Sequence, residues 1–548
     1  MKKFTYFHYY ADDLWEGYEK NGLLRENFGI RFVETIYQPK ELKFNELAKV
    51  GGELYSYVKN HKCAFYVDRL QGGCFLENYA YDMELIEEYK RLLGDKFLGF
   101  QMHEWLSNYN SDVEWKLGEL SKEEWTEENI KATIFKKFPF EELFLEAMTL
   151  EEHVAAGKPL TAKQYYDNMT AIYKKRARDF ELIPCDSFYL MYPFEANNGA
   201  KVIMPEVGAQ IPDMRLQMCY ARGVCNAYGL MLGAYYEPWG GEPFATCSYR
   251  EDGKNEWYIT GSDNFPFVPG GPNGGSSRSL QFRIHLYAYL SGAEMISEEW
   301  GGYNTFKNKE GYELSEYGLI KKKFLDFVDK YPDIGDKLAP IGAVVSNDLS
   351  AYIIDVKNGD EDYLFGYPLE GDALRQNREL HAGVKKIFSS ASPMIGSERE
   401  MKTLINSSVP DAVDMLNEGD GEALKKYRYL VNLTGDTDFE KRHTNCISPD
   451  KVGEVLEKIL PCKVSGGLHY LINEKDGGGY YLSVFNHSGV TRSKAEGENV
   501  LPEAAATVEI DVKSSTHLKR LEGSENIEYR DGKYYVTVNG GDWFFAEF

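Results

Sequence analysis

The stretch FLGFQMHEWLSN, Phe97 to Asn108, decides how the rest of the chain is read. Phe97-Leu98-Gly99-Phe100 is an apolar run of the kind that forms a buried strand. It leads directly into His103, Glu104 and Trp105, and the polar pair Ser107-Asn108 ends the element. A strand that carries a histidine, a carboxylate and an indole at its C-terminal end asks what lies beyond that end.

Similar runs occur on both sides. Phe4–Tyr10, Arg31–Gln38, Ala64–Leu70, Ser187–Phe194, Val202–Val207, Leu230–Glu237 and Ala293–Trp300 read as strands. Helical patterns separate most of them, among them Met83–Leu93, Asp213–Ala227 and Ser279–Ser291, and Glu316–Lys330 closes the series. Strands alternating with helices predict a parallel α/β fold, and this number of strands is that of a (β/α)8 TIM barrel. A dinucleotide-binding sheet needs a G-x-G-x-x-G turn after its first strand, and the sequence has none.

After Tyr331-Pro332-Asp333 the texture changes. Pro340–Ser346, Asp411–Leu416 and Tyr429–Leu433 read as strands and Asp450–Leu460 as a helix, which predicts a small open α/β (flavodoxin-like) domain over 336–465. From Gly466 the pattern is all-β. Tyr480–Asn486 and Val508–Val512 are strands, and Arg530-Asp531-Gly532 is a hairpin turn between Ile527–Tyr529 and Tyr534–Val538. The expected layout is a catalytic barrel over 1–335, the small α/β domain, and a C-terminal antiparallel β-sandwich over 466–548.

Composition narrows the function classes. The chain has 548 residues, 86 acidic against 62 basic, and a formal net charge of −24. Such a surface repels nucleic acid and anionic lipid. Aromatics make up 14% of the chain, with 40 Tyr, which suits sugar rings that stack on their C–H faces. No uncharged apolar run reaches the roughly 18 residues that a membrane span needs. The N-terminal MKKFTYFHYYADDLW has no small-residue cleavage site, and the eight cysteines are scattered without C-x-x-C spacing. Both predict a cytoplasmic protein with reduced thiols, or a secreted one if a leader has been removed. His and Cys do not cluster in ligand spacing, so no metal and no cofactor is expected.

In a (β/α)8 barrel the site lies at the C-terminal strand ends. There the sequence places Asp68 on the third strand, Glu104 on the fourth, Glu206 on the sixth, Glu237 on the seventh, and Glu298-Glu299 on the eighth. Of the adjacent pair only one faces the axis, and Glu299 is taken as that one. Trp105, Trp239 and Trp300 each lie within two residues of such a glutamate. Glycoside hydrolysis needs this combination: one carboxylic acid protonates the leaving oxygen, while a second attacks the anomeric carbon or activates water. The catalytic candidates are therefore Glu104, Glu206, Glu237 and Glu299. The substrate-binding candidates are His103, Trp105, Tyr236, Trp239, Trp300 and Asp68. Pro269–Ser277 lacks the Gly-Lys-Ser/Thr ending of a phosphate loop and reads as a loop over the mouth.

Glutamates at the ends of strands four and seven make the chain resemble the large clan of retaining (β/α)8 glycoside hydrolases. That resemblance implies Glu104 as acid/base and Glu237 as nucleophile. This chain has His103 where the clan has Asn before its acid/base. The three-part layout is similar to the family 42 β-galactosidases, whose middle domain helps build trimers, so a homo-oligomer is implied. An oligo- or polysaccharide substrate follows. An inverting, family 98-like endo-glycosidase and a catalytically silent carbohydrate-binding protein remain as alternatives.

Overall fold

A computed structural model describes residues 3–10, 14–33, 43–68, 70, 81–103, 120–121, 123–126, 128–129, 162–186, 191–208, 211, 214–237, 278–299, 305–306, 311–346, 354–355, 360–364, 367–389, 404–491, 498–514 and 516–548. Its first part is a parallel barrel. The strands are β1 Thr5–Tyr9, β2 Phe28–Val33, β3 Ala64–Asp68, β4 Phe97–His103, β5 Leu182–Cys185, β6 in two pieces (Val202–Ile203 and Glu206–Gly208), β7 Met231–Glu237 and β8 Met295–Glu298. Hydrogen-bonded ladders run from β5 back to β1, and on from β1 through β8 and β7 to β6. The β5–β6 seam is closed by two backbone bonds, Lys201 N–H to the Leu182 carbonyl at 3.0 Å and Glu206 N–H to the Asp186 carbonyl at 3.4 Å.

The expected fifth strand, Ser187–Phe194, is corrected: the strand is Leu182–Cys185, and Tyr192–Asn197 is a short helix. Pro193 explains the difference. A proline fits the first turn of a helix, where its missing N–H has no intrahelical partner to lose. The second strand starts earlier than expected, at Phe28.

Outside β4, side chains alternate between two cores. Phe7, Tyr66, Leu98, Ile183, Cys185, Val202, Met204, Tyr235 and Met295 fill the barrel interior. Their neighbours, such as Tyr6, Phe65, Val67, Phe100, Ala234 and Tyr236, pack outward with the helices. In β4 the alternation slips by one residue. The register against β3 shifts there, with Phe65 opposite Phe97 and Tyr66 opposite Gly99. Gly99 has φ +100°, and a Cβ at that position would run into the Glu181 carbonyl. A bulge of this kind sets two residues against one and re-aims every side chain after it. Leu98 points inward, Met102 points outward, and His103 points to the axis.

The second part is a parallel sheet ordered Val413–Asn417, Ile341–Val345, Tyr429–Leu433, Cys446–Ile447. In chain order this is 2-1-3-4, as in open doubly wound sheets. Two antiparallel sheets make the third part. One runs Asp336–Lys337, His469–Glu474, Tyr480–Phe485, Trp543–Glu547, Lys519–Gly523, and the other Cys462–Ser465, Ala506–Val512, Lys533–Val538, Ile527–Arg530. The Asp531-Gly532 turn has φ +51° and +79°, the double positive φ of a tight hairpin.

The three parts are joined by buried polar contacts. From the barrel helix Met214–Tyr228, the Arg215 guanidinium donates to Asp411, and Arg222 Nε donates to Asp414 Oδ1 at 2.6 Å. Gly223 of that helix lies so close to Met415 that a Cβ would meet the Met415 carbonyl. Among the described residues no helix is long and apolar enough to cross a membrane.

Candidate active site

The alternation that fills the interior also selects what faces the mouth. Counting by twos up each strand, the last inward residues are Arg31 on β2, Asp68 on β3, Gln101 and His103 on β4, Cys185 on β5, Glu206 on β6, Tyr235 and Glu237 on β7, and Ser297 on β8, with Glu299 just past the end of β8. Below the mouth these side chains form a closed polar layer. The Arg31 guanidinium is ion-paired with Asp68, donates to the Glu298 backbone carbonyl, and donates to Tyr235 Oη at 2.5 Å. Tyr235 in turn donates to Asp68 Oδ2 at 3.2 Å. With its amide nitrogen turned to Asp68, Gln101 donates to the same carboxylate. Tyr66 donates to Ser297 Oγ at 2.7 Å. Burial works against the Arg31 charge, but the Asp68 carboxylate overrides it and holds the guanidinium above its ordinary pKa.

Above this layer the reactive groups gather. One carboxylate oxygen from each of Glu206, Glu237 and Glu299 lies within 4.8 Å of the others. His103, Cys185 and Glu206 likewise bring one donor atom each within 4.8 Å of one another. His103 Nε2 stands 4.0 Å from Glu206 Oε1 and 3.8 Å from Glu299 Oε1. The Tyr235 ring meets the His103 imidazole edge-on at 5.3 Å between centroids. All of these groups are buried: His103 is 8% exposed, Glu206 1%, Glu237 8% and Glu299 3%. Burial pushes the Cys185 thiol well above its ordinary pKa, and the Glu206 carboxylate pushes it the same way.

The adjacent glutamates of strand eight have separate fates. Glu298 points outward into the helix layer. Its Oε2 lies 2.5 Å from Lys321 Nζ, while its Oε1 accepts from Tyr6 at 2.8 Å and from Gln281 at 2.9 Å and lies 3.3 Å from His285 Nε2. Burial alone would raise its pKa. The Lys321 ammonium and His285 override burial and hold the carboxyl down to about 2. Glu299 lies beside His103 instead.

Of the expected site residues, the structure therefore brings together His103, Glu206, Glu237 and Glu299. Asp68 lies inside the barrel but is bound to Arg31 beneath them. Tyr236 is corrected: its ring packs outside the barrel, 4.9 Å from His285, because a strand that turns Glu237 inward turns its neighbour outward. Glu104, Trp105, Trp239, Trp300 and Pro269–Ser277 lie outside the described residues. Arg31, Tyr235 and Cys185 were not among the candidates. The period of two, applied downward from Glu237 and upward through Arg31, was the signal that could have found the first two.

No family model matches the chain, and no curated protein matches it. Several solved structures do. One is a polyextremophilic β-galactosidase from the Antarctic haloarchaeon Halorubrum lacusprofundi, at 9% identity over 100% of this chain and 98% of that one, with a TM-score of 0.43. Another is α-L-fucosidase isoenzyme 2 from Paenibacillus thiaminolyticus, at 10% identity over 100% of this chain and 99% of that one, with a TM-score of 0.45. A thiamine phosphate pyrophosphorylase from Pyrococcus furiosus matches 59% of this chain over 98% of its own length, at 10% identity and a TM-score of 0.25.

Proposed function

We propose that the chain is a glycoside hydrolase acting on an oligo- or polysaccharide at the mouth of the barrel. The observation that carries this is the convergence of Glu206, Glu237 and Glu299 from three consecutive strands, with one oxygen of each within 4.8 Å of the others. A retaining pair of carboxyls is spaced at about 5–5.5 Å and an inverting pair at about 6.5–9.5 Å. Retention is the reading favoured for the Glu104–Glu237 pair, and the product anomer decides it. In this proposal Glu237 attacks the anomeric carbon, and Glu104 gives the leaving oxygen its proton. Glu299 or Glu206 takes the second role if Glu104 does not. In the metal-free chain His103, which stands beside Glu206 and Glu299, contacts a sugar hydroxyl.

The small α/β part carries no chemistry in this proposal. It serves assembly, and a homo-oligomer is expected. Domain boundaries near residues 335 and 465 go with it.

The test is a screen of aryl glycosides and of host and plant oligosaccharides with the full chain, followed by Glu237→Ala on whichever substrate turns over. Loss of turnover, and formation of a glycosyl azide when azide is added, is the expected result. Full activity of Glu237→Ala would remove the proposal, as would binding of sugars without any hydrolysis.

A further inference from the structure

We infer that the mouth also contains a transition-metal site, built by His103, Cys185 and Glu206 on the β4–β6 side. This goes beyond the glycosidase proposal and does not depend on it. The three residues stand on three consecutive strands, at 103, 185 and 206, so no local spacing in the sequence announces them. Alternation aims all three inward, and the bulge at Gly99 is what turns His103 to that side. One imidazole nitrogen, one sulfur and one carboxylate oxygen then lie within 4.8 Å of one another.

The donor set selects the ion. A thiolate and an imidazole are soft or borderline ligands, which favour zinc over magnesium or calcium. Three protein ligands with a fourth position open is the pattern of zinc sites that bind water or a substrate oxygen. With zinc about 2.0–2.3 Å from each donor, tetrahedral ligands stand about 3.3–3.8 Å apart. His103 Nε2 and Glu206 Oε1 stand 4.0 Å apart, so small rotations about their side-chain bonds complete the site. The edge-on Tyr235 ring already fixes the plane of the imidazole. Charge favours the same ion. Three buried carboxylates lie together at this mouth, and the Arg31 guanidinium beneath is bound to Asp68. A divalent cation beside Glu206 offsets that negative charge. A water or a hydroxyl of a bound polyol is the ligand that a fourth position would take.

The test needs no sugar. The full chain is stripped with a chelator, dialysed, and titrated with Co2+ and then Zn2+. A thiolate-to-cobalt charge-transfer band should grow to one equivalent, and zinc should displace it. Cys185→Ser should abolish the band and weaken zinc binding by more than about 100-fold, beyond the 10–100-fold that loss of an outer partner costs. Cys446→Ser, which changes a partly exposed cysteine of the small α/β part, should leave both unchanged. Absence of the band in the wild type would overturn the inference, and so would its survival in Cys185→Ser. If Cys185→Ser does not fold by circular dichroism, His103→Asn is read in its place: it should lose the zinc affinity by the same factor, and unchanged affinity would overturn the inference. Because only metal binding is read, a failed glycosidase screen leaves this result standing, and the reverse holds too.

Discussion

Two buried polar clusters in this molecule are built from similar residues and are put together in opposite ways. At the junction of the three parts, Asp411 is gripped. Arg215 and Tyr287 donate to it, the latter at 2.7 Å, and His469 Nε2 lies 2.9 Å away. The chain continues: His469 Nδ1 is 2.8 Å from His487 Nε2, and Arg283 Nε donates to His487 Nδ1 at 3.1 Å. Because Arg283 can only donate, the tautomers follow. Each imidazole is neutral and passes a hydrogen bond toward Asp411. Burial, with Arg215 nearby, lowers the His469 pKa to about 4 and agrees with that assignment. At the barrel mouth, by contrast, His103 stands 3.8 and 4.0 Å from two carboxylates, beyond hydrogen-bond reach. The junction has its charges closed on one another. At the mouth, like-charged carboxylates from three strands are brought together instead, one oxygen of each within 4.8 Å of the others.

That contrast can be broken by mutation. The largest effect expected is on activity: Glu237→Ala should lower kcat on aryl glycosides by at least about 10⁴-fold, with chemical denaturation unchanged or shifted to higher midpoint. Poorer folding with unchanged specific activity would place Glu237 with the junction rather than the mouth. Asp411→Asn should do the reverse. It breaks a buried ion pair and should cost about 3–5 kcal/mol of stability by denaturant titration, while activity per folded molecule stays constant.

Strand eight allows the same comparison between adjacent residues. Glu298→Gln leaves Lys321 buried without its carboxylate and should cost about 3 kcal/mol or more, with no change in the pH profile of kcat. Glu299→Gln should change activity or its pH profile and leave stability nearly intact. If the two variants exchanged behaviours, the inward assignment of Glu299 would be wrong.

The pH dependence of stability has two windows. His469 titrates near 4 in the fold against 6.5 in a free chain, so its contribution is complete above pH 6.5 and is lost as pH falls toward 4, where the unfolded chain has already taken the proton. His8, lowered to about 3 by burial and by Lys321, acts in the same direction. Glu298 contributes above about 4.5 and is lost as pH falls through about 2. Urea midpoints that stayed flat from pH 7 to 4 would contradict the neutral histidine chain. The smallest effect belongs to Tyr236→Phe, which should leave KM unchanged and stability within about 1 kcal/mol, since its ring faces the helices.

Much of this architecture was legible in the sequence because burial is periodic. Apolar runs at helix-separated intervals gave seven of the eight barrel strands, and alternation in Val508–Val512 gave a sandwich strand. Strand five was misplaced because Leu182-Ile183-Pro184-Cys185 is short, while Ser187–Phe194 has a longer apolar run that Pro193 turns into a helix. The carboxylates at strand ends were legible too, and alternation allowed only one of Glu298 and Glu299 to face the axis without saying which. What alternation cannot announce is its own interruption. Gly99 sits inside an apolar strand, where a glycine often marks a bulge, and that bulge shifts the inward face by one residue. Without it, counting by twos from Leu98 turns Met102 inward and His103 outward. The His103–Cys185–Glu206 group was invisible for a related reason: ligands drawn from separate strands leave no spacing motif.

Glycosidic chemistry at the mouth, with Glu237 as the proposed nucleophile, is open to a direct test. The most direct measurement follows the first anomer released by the wild-type chain by proton NMR, with Glu237→Ala run in azide alongside. The sugar should leave with its anomeric configuration retained, and the variant should yield a glycosyl azide of inverted configuration. Release of the inverted anomer by the wild type, with no azide product from Glu237→Ala, would contradict it.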